Sequence, residues 1–338
     1  MRSPLIIAEL SANHQQDIQI AKDSLHAIAQ SGADGVKLQT YTPSCLTLDS
    51  KSPHFAISGG TLWDNTYLYD LYARAQTPWE WHEELFALAK KLGLLIFSSP
   101  FSPQGVAFLE SLQCPMYKVA SFEIMHYELL SAIAKTKKPI ILSTGIATHK
   151  EIESALRLCH KYGSRDITLL HCVSEYPAPL ESAHIKAMLG LKQRYKKYHI
   201  KVGLSDHTLG SICPIIATSL GASMIEKHFI LDKSLGGVDS AFSMDKDEFK
   251  LMVEQVRQSA LALGKKNPHI HKSTMQKRRQ FVRSIWVVRD IAKGERFSKE
   301  NITILRPHGG MHPRHYAQIL GKRAKRDYRA ATPLHIKH

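Results

Sequence analysis

Eight short apolar segments recur along the first two thirds of this 338-residue chain. They are residues 5–10, 35–40, 94–100, 116–121, 139–144, 167–172, 201–207 and 224–229. Most intervening segments, such as 20–31, 79–92, 151–162 and 212–220, place apolar residues at i, i+3 and i+4, which is typical of amphipathic helices. This alternation predicts βαβ units in a parallel sheet. Eight units in about 260 residues favour a closed (β/α)₈ TIM barrel over an open doubly wound sheet.

The chain divides by composition into three parts. Residues 1–264 form the predicted catalytic barrel, with a polar and aromatic insertion at 41–74. Residues 265–282 are polar and basic without clear periodicity, so we interpret them as a linker. Strand patterns at 284–288 and 302–306 and a short helix at 315–320 predict a small β-rich domain over 283–338.

The lengths of the apolar runs and the number of cysteines indicate the cellular compartment of the protein. No apolar run approaches the 18 residues of a membrane span, and the first run is too short for a signal peptide. The five cysteines are an odd number without C-x-x-C spacing, so neither a disulfide framework nor a zinc cluster is indicated. We therefore expect a cytoplasmic protein with no membrane partner.

The net charge of +15 is concentrated at the C-terminal end. Residues 265–338 hold 19 of the 45 Lys and Arg residues and 4 of the 30 Asp and Glu residues, so the remaining 26 bases and 26 acids leave 1–264 neutral. A basic segment of this kind raises one non-enzymatic hypothesis, in which the C-terminus binds nucleic acid and the barrel is a passive scaffold.

Polar residues close nearly every predicted strand, at the end where barrel enzymes place their active sites. In strand order they are Glu9; Lys37 and Gln39; Ser98 and Ser99; Lys118, Ser121 and Glu123; Ser143 and Thr144; His171; Ser205, Asp206 and His207; and Glu226, Lys227 and His228. One such residue alone is most often structural. Eight strands that share the pattern indicate an active site.

Two histidines close neighbouring strands of the predicted barrel. His207 and His228 could bind one cation, and a site with two imidazoles suits Mn²⁺, Fe²⁺ or Zn²⁺, with water or substrate completing the coordination. Asp206 and Glu226 are candidates to orient the imidazoles. In the alternative interpretation, the histidines only hydrogen-bond within the barrel mouth.

Two lysines and several hydroxyls belong to the same mouth. Lys37 and Lys118, with Ser121, Ser143 and Ser205, suit a small anion that carries phosphate and carboxylate groups. The chain has no P-loop, so a nucleoside triphosphate is not favoured. Glu9 and Glu123 are possible acid–base or hydroxyl-binding carboxylates, and purely structural salt bridges are the alternative.

Several motifs together resemble the sialic acid synthase family. They are AELSANH at 8–14, VKLQT at 36–40, FSSPF at 97–101, YKVASFE at 117–123, LSTG at 142–145, GLSDH at 203–207 and EKHF at 226–229. The sequence RPHGG at 306–310 is similar to the arginine motif of that family's C-terminal antifreeze-like (SAF) domain. The resemblance spans essentially the whole chain.

This resemblance implies a transferase that condenses phosphoenolpyruvate with the aldehyde of an open-chain amino sugar and releases phosphate by C–O cleavage. It implies that Glu9 is the acid–base carboxylate. It also implies that His207 and His228 bind a divalent metal, with Mn²⁺ as the preferred ion and Mg²⁺ and Co²⁺ as alternatives. The implied phosphoenolpyruvate ligands are Lys37, Ser99, Lys118, Ser121, Ser143 and Ser205. The implied sugar contacts are Gln39, Glu123, Tyr176, Asp239 and Arg306.

The resemblance also implies partners. In the family, the small domain of one subunit covers the barrel of the other, which predicts a homodimer in which Arg306 is supplied in trans. The two substrates are then the small-molecule partners, and neither nucleic acid nor a membrane is expected.

Departures from the commoner family motifs concern the sugar. Ser11, Phe122, Ser174 and the segment GTLWD at 60–64 look like the pseudaminic acid synthase branch of the family. That branch implies 2,4-diacetamido-2,4,6-trideoxy-L-altrose as the sugar and flagellin or polysaccharide glycosylation as its use. An N-acetylneuraminate or legionaminate synthase of the same family is the alternative.

Overall fold

The computed structural model of the chain describes residues 3–264 and 271–336. The chain divides into two compact units, Met1–Gly264 and Lys265–His338. In the first unit, eight parallel strands close into a barrel in the order β1 to β8. The predicted fold class, a (β/α)₈ barrel followed by a small β-rich domain, is therefore confirmed.

Each predicted apolar segment contains one barrel strand. The strands are β1 (Leu5–Glu9), β2 (Gly35–Thr40), β3 (Leu95–Pro100), β4 (Tyr117–Val119), β5 (Ile140–Ser143), β6 (Ile167–His171), β7 (Lys201–Asp206) and β8 (Met224–His228). Most of them end a residue or two earlier than the sequence pattern.

Helices connect the strands on the outside of the barrel. They are α1 (Ile18–Gln30), α2 (Pro43–Leu46), α3 (Leu68–Ala75), α4 (His82–Lys91), α5 (Pro103–Ser111), α6 (Tyr127–Lys135), α7 (His149–Lys161), α8 (Ala187–Arg194), α9 (Ile212–Ser219) and α10 (Lys246–Leu263). Two of these helices begin with a capping box of reciprocal hydrogen bonds between side chain and backbone. Thr148 and Glu151 form it at the N-terminus of α7, and Asp245 and Glu248 form it at the N-terminus of α10.

The barrel strands are buried on both faces, which explains their nearly continuous apolar sequence. Residues such as Ile6, Leu38 and Leu142 are fully buried between the sheet and the surrounding helices. This buried sheet therefore holds the polar residues at its C-terminal edge.

None of the helices in the described ranges is long and apolar enough to cross a membrane.

The second unit has its own small core. It contains α11 (Lys272–Phe281), β9 (Ser284–Val287), β10 (Ile302–Leu305), α12 (Tyr316–Ile319) and β11 (Thr332–Pro333). The three strands form an antiparallel sheet in the order β10-β9-β11. Its buried side chains include Ile285, Val287, Phe297, Ile302 and Leu334. The two-residue strand β11 has no periodicity to reveal it, and the sequence pattern missed it.

The proposed linker at 265–282 differs from the structure in its second half. Residues 265–270 lie outside the described residues, whereas α11 occupies most of the remainder. The helix lacks an apolar stripe and its described side chains are exposed, which explains why hydrophobic periodicity did not reveal it.

Candidate active site

Strand register brings the predicted catalytic carboxylate between a lysine and a histidine. Glu9 on β1 lies opposite Lys37 on β2 and opposite His228 on β8. Glu9 and Lys37 form an ion pair, and both side chains are almost completely buried. The polar strand ends thus converge inside the barrel rather than on its outer surface.

Glu226 on β8 is the centre of a second ion-pair network. Its carboxylate lies 2.8 Å from the Lys118 ammonium and 3.9 Å from that of Lys37, and it accepts a 2.9 Å hydrogen bond from Ser205. Burial alone would raise the pKa of Glu226, but the two lysine charges and the hydrogen bonds from Lys118 and Ser205 lower it to about 2. Glu226 is therefore an anion that balances both lysines.

The state of Lys37 depends on its neighbours. Burial lowers the pKa of Lys37 to about 7, with the charge of Lys118 acting in the same direction and that of Glu226 opposing it. Its ammonium also lies 3.4 Å from the Ser99 hydroxyl. An incoming anion would favour the charged form of this lysine.

Hydroxyl and amide groups line the side of the mouth formed by β4 to β6. Ser121 accepts a 3.0 Å hydrogen bond from the Ile146 N–H and a 3.3 Å hydrogen bond from Ser174. Gly145 leaves the space that these groups occupy, because a Cβ there would lie 2.4 Å from the Ser174 Oγ and 2.9 Å from the Ser121 Oγ. Such a cluster of directed donors suits a phosphate or a carboxylate.

His207 and His228 face one another with ring centroids 5.5 Å apart. Burial lowers the pKa of His207 to about 4 and that of His228 well below its usual value, so both imidazoles are neutral. The Nδ1–H of His207 donates a 2.8 Å hydrogen bond to the Val173 carbonyl, which leaves the Nε2 lone pair available. The Nδ1 of His228 is buried without a hydrogen-bond partner among the described residues.

These two imidazoles fit a divalent cation. Neutral nitrogens with available lone pairs are the donors that Mn²⁺, Fe²⁺ and Zn²⁺ accept, and solvent or substrate would fill the other positions. Within the described ranges, no cluster of three or more His, Cys, Asp or Glu side chains could hold a metal. Metal binding by His207 and His228 stays a prediction.

The suggested orienting roles of Asp206 and Glu226 are wrong. Asp206 binds Lys227 at 2.6 Å and the Thr208 hydroxyl at 2.8 Å, while Glu226 binds lysine ammonium groups. A backbone carbonyl orients His207 instead. For Asp206, strand alternation explains the difference, because it precedes His207 directly and so points to the opposite face, where it meets Lys227. Glu226 shares the face of His228 but is held by Lys118 and Ser205.

Four of the residues assigned to the sugar belong to the barrel unit. Gln39 donates a 2.8 Å hydrogen bond to Ser11, and Tyr176 packs on His207 with ring centroids 4.5 Å apart. Asp239 is buried, with a carboxylate oxygen 3.8 Å from the His228 Nδ1. Burial raises the pKa of Glu123 to about 7, against the opposing charge of Lys118.

A cavity of about 590 Å³ opens beside this group. Its lining includes Gln15 and Gln16 after β1, Trp63 and Arg74 around the insertion, and Val238. The Trp63 indole N–H donates a 3.0 Å hydrogen bond to the Val238 carbonyl, which fixes the ring. The insertion thus contributes one wall of the space above the strand ends.

Sequence reasoning missed Trp63 as an individual contact and Phe242 altogether. Phe242 is buried and packs edge-on against His228 at a centroid distance of 4.8 Å, and Trp63 lies 5.8 Å from Tyr176. Both residues reach the site from connecting segments rather than from strand ends. The only signal for Phe242 is its position three residues after Asp239.

Two other predicted residues are exposed. Phe122, one of the departures from the commoner family motifs, is 58% exposed. Arg306 follows β10 in the second unit and is exposed. The Nε2–H of His171, which closes β6, donates a 2.8 Å hydrogen bond to the Ala183 carbonyl.

Comparisons with known proteins identify the family of both units. The NeuB family matches residues 24–268 and the SAF domain matches residues 282–338. The pseudaminic acid synthase of Helicobacter pylori is 58% identical over 99% of this chain and 97% of its own length. The N,N'-diacetyllegionaminic acid synthase of Campylobacter jejuni is 38% identical over 97% of this chain and 98% of its own.

A solved structure shares both sequence and fold. The N-acetylneuraminic acid synthetase of Leptospira borgpetersenii is 29% identical, with a TM-score of 0.72, over 82% of this chain and 90% of that one. The resemblance that the motifs indicated is confirmed. With its family match over most of the barrel and its C-terminal SAF domain, the chain belongs to the NeuB family.

Proposed function

We propose that this protein is a pseudaminic acid synthase that condenses phosphoenolpyruvate, 2,4-diacetamido-2,4,6-trideoxy-L-altrose and water to pseudaminic acid and phosphate. One observation carries the chemistry: Lys37 and Lys118 converge on Glu226 directly beside the neutral pair His207 and His228. A cationic anion site and a metal-binding pair in one barrel mouth suit a phosphorylated carboxylate and a carbonyl compound.

Lys37, Lys118 and the nearby hydroxyls hold phosphoenolpyruvate in this proposal. Ser99 lies 3.4 Å from Lys37, Ser205 shares the Glu226 carboxylate with Lys118, and Ser143 is buried at the end of β5. Ser121, which accepts from the Ile146 N–H, adds a hydroxyl donor. Fixed donors of this kind stabilise the negative charge that builds on the departing phosphate. The phosphate leaves by C–O cleavage, and the oxygen of water replaces it at C2.

Glu9 is the proposed acid–base residue. Its position opposite both Lys37 and His228 places it between the anion site and the histidine pair, where bond formation takes place. A divalent ion bound to His207 and His228, with Mn²⁺ as the preferred ion, would polarise the sugar aldehyde for attack by C3 of phosphoenolpyruvate. Gln39, Glu123, Tyr176 and Asp239 position the sugar in this scheme.

The branch assignment rests on the gradient of similarity. The chain is 58% identical to the Helicobacter pylori pseudaminic acid synthase and 38% identical to the Campylobacter jejuni legionaminic acid synthase, over nearly equal lengths. The departures Ser11 and Ser174 lie at the barrel mouth, where a sugar would be distinguished. Legionaminate and N-acetylneuraminate synthase activities are the competing functions.

We extend this proposal to the assembly. A homodimer in which the SAF domain covers the partner's barrel would bring the partner's positive charge over an anion-binding mouth. The exposed guanidinium of Arg306 is then a sugar contact supplied in trans. This arrangement accounts for the concentration of basic residues in 265–338 without a nucleic-acid partner.

The test is phosphate release from phosphoenolpyruvate with Mn²⁺ and three sugars in parallel. These are the diacetamido-trideoxy-altrose, the legionaminate-type mannose analogue and N-acetylmannosamine. Turnover with the altrose alone supports the proposal. Turnover with another sugar alone contradicts the branch assignment. No release with any sugar, after EDTA treatment and reloading with Mn²⁺, Co²⁺ or Mg²⁺, overturns the enzymatic function and favours nucleic-acid binding.

A further inference from the structure

Ser11 has a backbone conformation that suits glycine better than serine. It follows β1 two residues after Glu9, its φ is +47°, and its side chain is buried. A residue with a Cβ is strained in this left-handed region, whereas glycine adopts it freely. The strain must therefore be offset by what the serine side chain contacts.

The Ser11 hydroxyl links two segments that are distant in sequence. It accepts a 2.8 Å hydrogen bond from the Gln39 Nε2 on β2. The hydroxyl and the Ala12 N–H also lie near the Asp239 carboxylate, where they lower the pKa of a carboxyl group whose pKa burial raises. Gln39 and Asp239 are both proposed sugar contacts, so this one hydroxyl connects two parts of the proposed sugar site.

The chemistry of these three groups fixes their directions. Gln39 donates to the Ser11 oxygen, so the single Ser11 hydrogen remains available to the nearby Asp239 carboxylate, which can only accept. The Ser11 oxygen can then only accept, which requires the amide nitrogen of Gln39 and not its oxygen on this side. The Gln39 Oε1 is consequently turned away from Ser11. The contacts of Ser11 with Gln39 and Asp239 thus determine that the amide oxygen of Gln39 remains for a ligand.

We propose that Ser11 is a positioning residue that selects the acceptor sugar by fixing the orientations of Gln39 and Asp239. This inference rests on the proposed function. With Ser11 in place, the sugar meets two oriented acceptors and must present matching hydroxyl or acetamido N–H donors. Without the hydroxyl, the amide of Gln39 is free to turn, and sugars with other patterns of donors are excluded less strongly.

The Ser11→Gly variant tests this with little risk of misfolding, because glycine relieves the backbone strain while it removes the hydroxyl. Ser11→Ala removes the hydroxyl but keeps the Cβ and serves as the second variant. The matched control is Gln113→Gly, which replaces an exposed residue at φ +56° beyond the end of α5. The measurements are kcat and KM for phosphoenolpyruvate and for each of the three sugars.

We expect both Ser11 variants to raise the KM for the preferred sugar about tenfold, by loss of one positioning hydrogen-bond link. The KM for phosphoenolpyruvate should not change, and the preference in kcat/KM over N-acetylmannosamine should fall by a similar factor. Gln113→Gly should behave as wild type in every assay.

Other outcomes separate this inference from the function on which it rests. Wild-type turnover combined with unchanged sugar preference in both variants overturns the role of Ser11 and leaves the proposed function intact. Equal losses toward phosphoenolpyruvate and all three sugars would show that Ser11 acts only on structure, and would also overturn it. Absence of wild-type turnover with every sugar overturns both proposals.

Discussion

The Glu226 carboxylate lies 2.8 Å from the Lys118 ammonium inside the barrel, where both side chains are almost completely buried. It also lies 3.9 Å from the Lys37 ammonium, which is paired with Glu9 as well, so Glu226 contributes negative charge to both cations before substrate arrives. Buried charges are tolerated only when they are paired. The proposed anion site is therefore preorganised by an internal counterion, which gives its electrostatics a direct test.

Replacement Glu226→Gln should leave both lysines without this counterion. We expect the free energy of unfolding to fall by about 3–5 kcal/mol, the usual cost of breaking a buried ion pair. Phosphoenolpyruvate should then stabilise the variant more than it stabilises the wild type, because the ligand supplies the missing charge. Denaturant unfolding with and without ligand measures both effects. Asp166→Asn breaks the exposed pair with Lys201 and should change stability by less than about 1 kcal/mol.

Replacement Lys118→Ala removes one of the two buried cations. Turnover should fall at least about 100-fold, the usual effect of losing a charged group that stabilises a transition state. Binding of phosphoenolpyruvate should weaken in parallel, as steady-state kinetics and calorimetry would show. Lys201→Ala, at an exposed lysine, is the control. An unchanged KM for phosphoenolpyruvate would remove Lys118 from its proposed role.

Replacement Gly145→Ala should disturb the hydroxyl cluster of the mouth. The new Cβ would lie 2.4 Å from the Ser174 Oγ, 2.8 Å from the Cys172 Sγ and 2.9 Å from the Ser121 Oγ, so these groups must move. We expect the KM for phosphoenolpyruvate to rise about tenfold, by loss of one directed hydrogen bond. Gly190→Ala on α8, where a Cβ meets nothing within 4 Å, should leave kinetics unchanged.

Acid should destabilise the barrel through its buried histidines, including two outside the proposed metal-binding pair. Burial lowers the pKa of His82, and of His14, to about 4. Between pH 6.5 and 4 the unfolded chain binds protons that the folded chain does not, so the free energy of unfolding falls as pH falls, by about 3 kcal/mol for each histidine. The raised pKa of Glu123 has the opposite effect, since its contribution is lost as pH rises from 4.5 to 7.

The variant His82→Gln isolates the histidine contribution. His82 hydrogen-bonds the Thr40 hydroxyl at 2.8 Å and the Pro78 carbonyl at 3.1 Å, and glutamine does not titrate. We expect a shallower loss of stability between pH 6.5 and 4 than in wild type, measured by denaturant unfolding at each pH. His26→Gln, at an exposed position of α1, should keep the wild-type slope. Equal slopes in all three proteins would contradict the assignment.

Hybrid dimers test the proposed trans arrangement of Arg306. Lys118→Ala and Arg306→Ala chains should each be inactive alone. In a hybrid dimer, the barrel with intact Lys118 would receive the intact arginine from the other chain. Random mixing after refolding should then restore about one quarter of wild-type turnover, since half the dimers are hybrids with one working site each. No recovery, despite confirmed hybrid formation, would show that Arg306 does not act across subunits.

The strand ends could be predicted from sequence because their signal is local. An apolar run followed by Glu9, by Lys37 with Gln39, or by His228 indicates a strand that ends at the active face of a barrel. The motifs around these residues also sufficed to predict the family. The exposed helix α11 left no such signal, because hydrophobic periodicity appears only where one face of a helix is buried.

The partners of these residues were decided by tertiary structure. Asp206 and Glu226 both adjoin metal-binding candidates in sequence, yet one binds Lys227 and the other Lys118, because strand alternation and register assign them to different faces. The placement of Phe242 and the link through Ser11 depend on how long connecting segments close over the strands. Sequence by itself therefore determined which residues reach the mouth of the barrel, and only the closed sheet and its loops determined which of them meet.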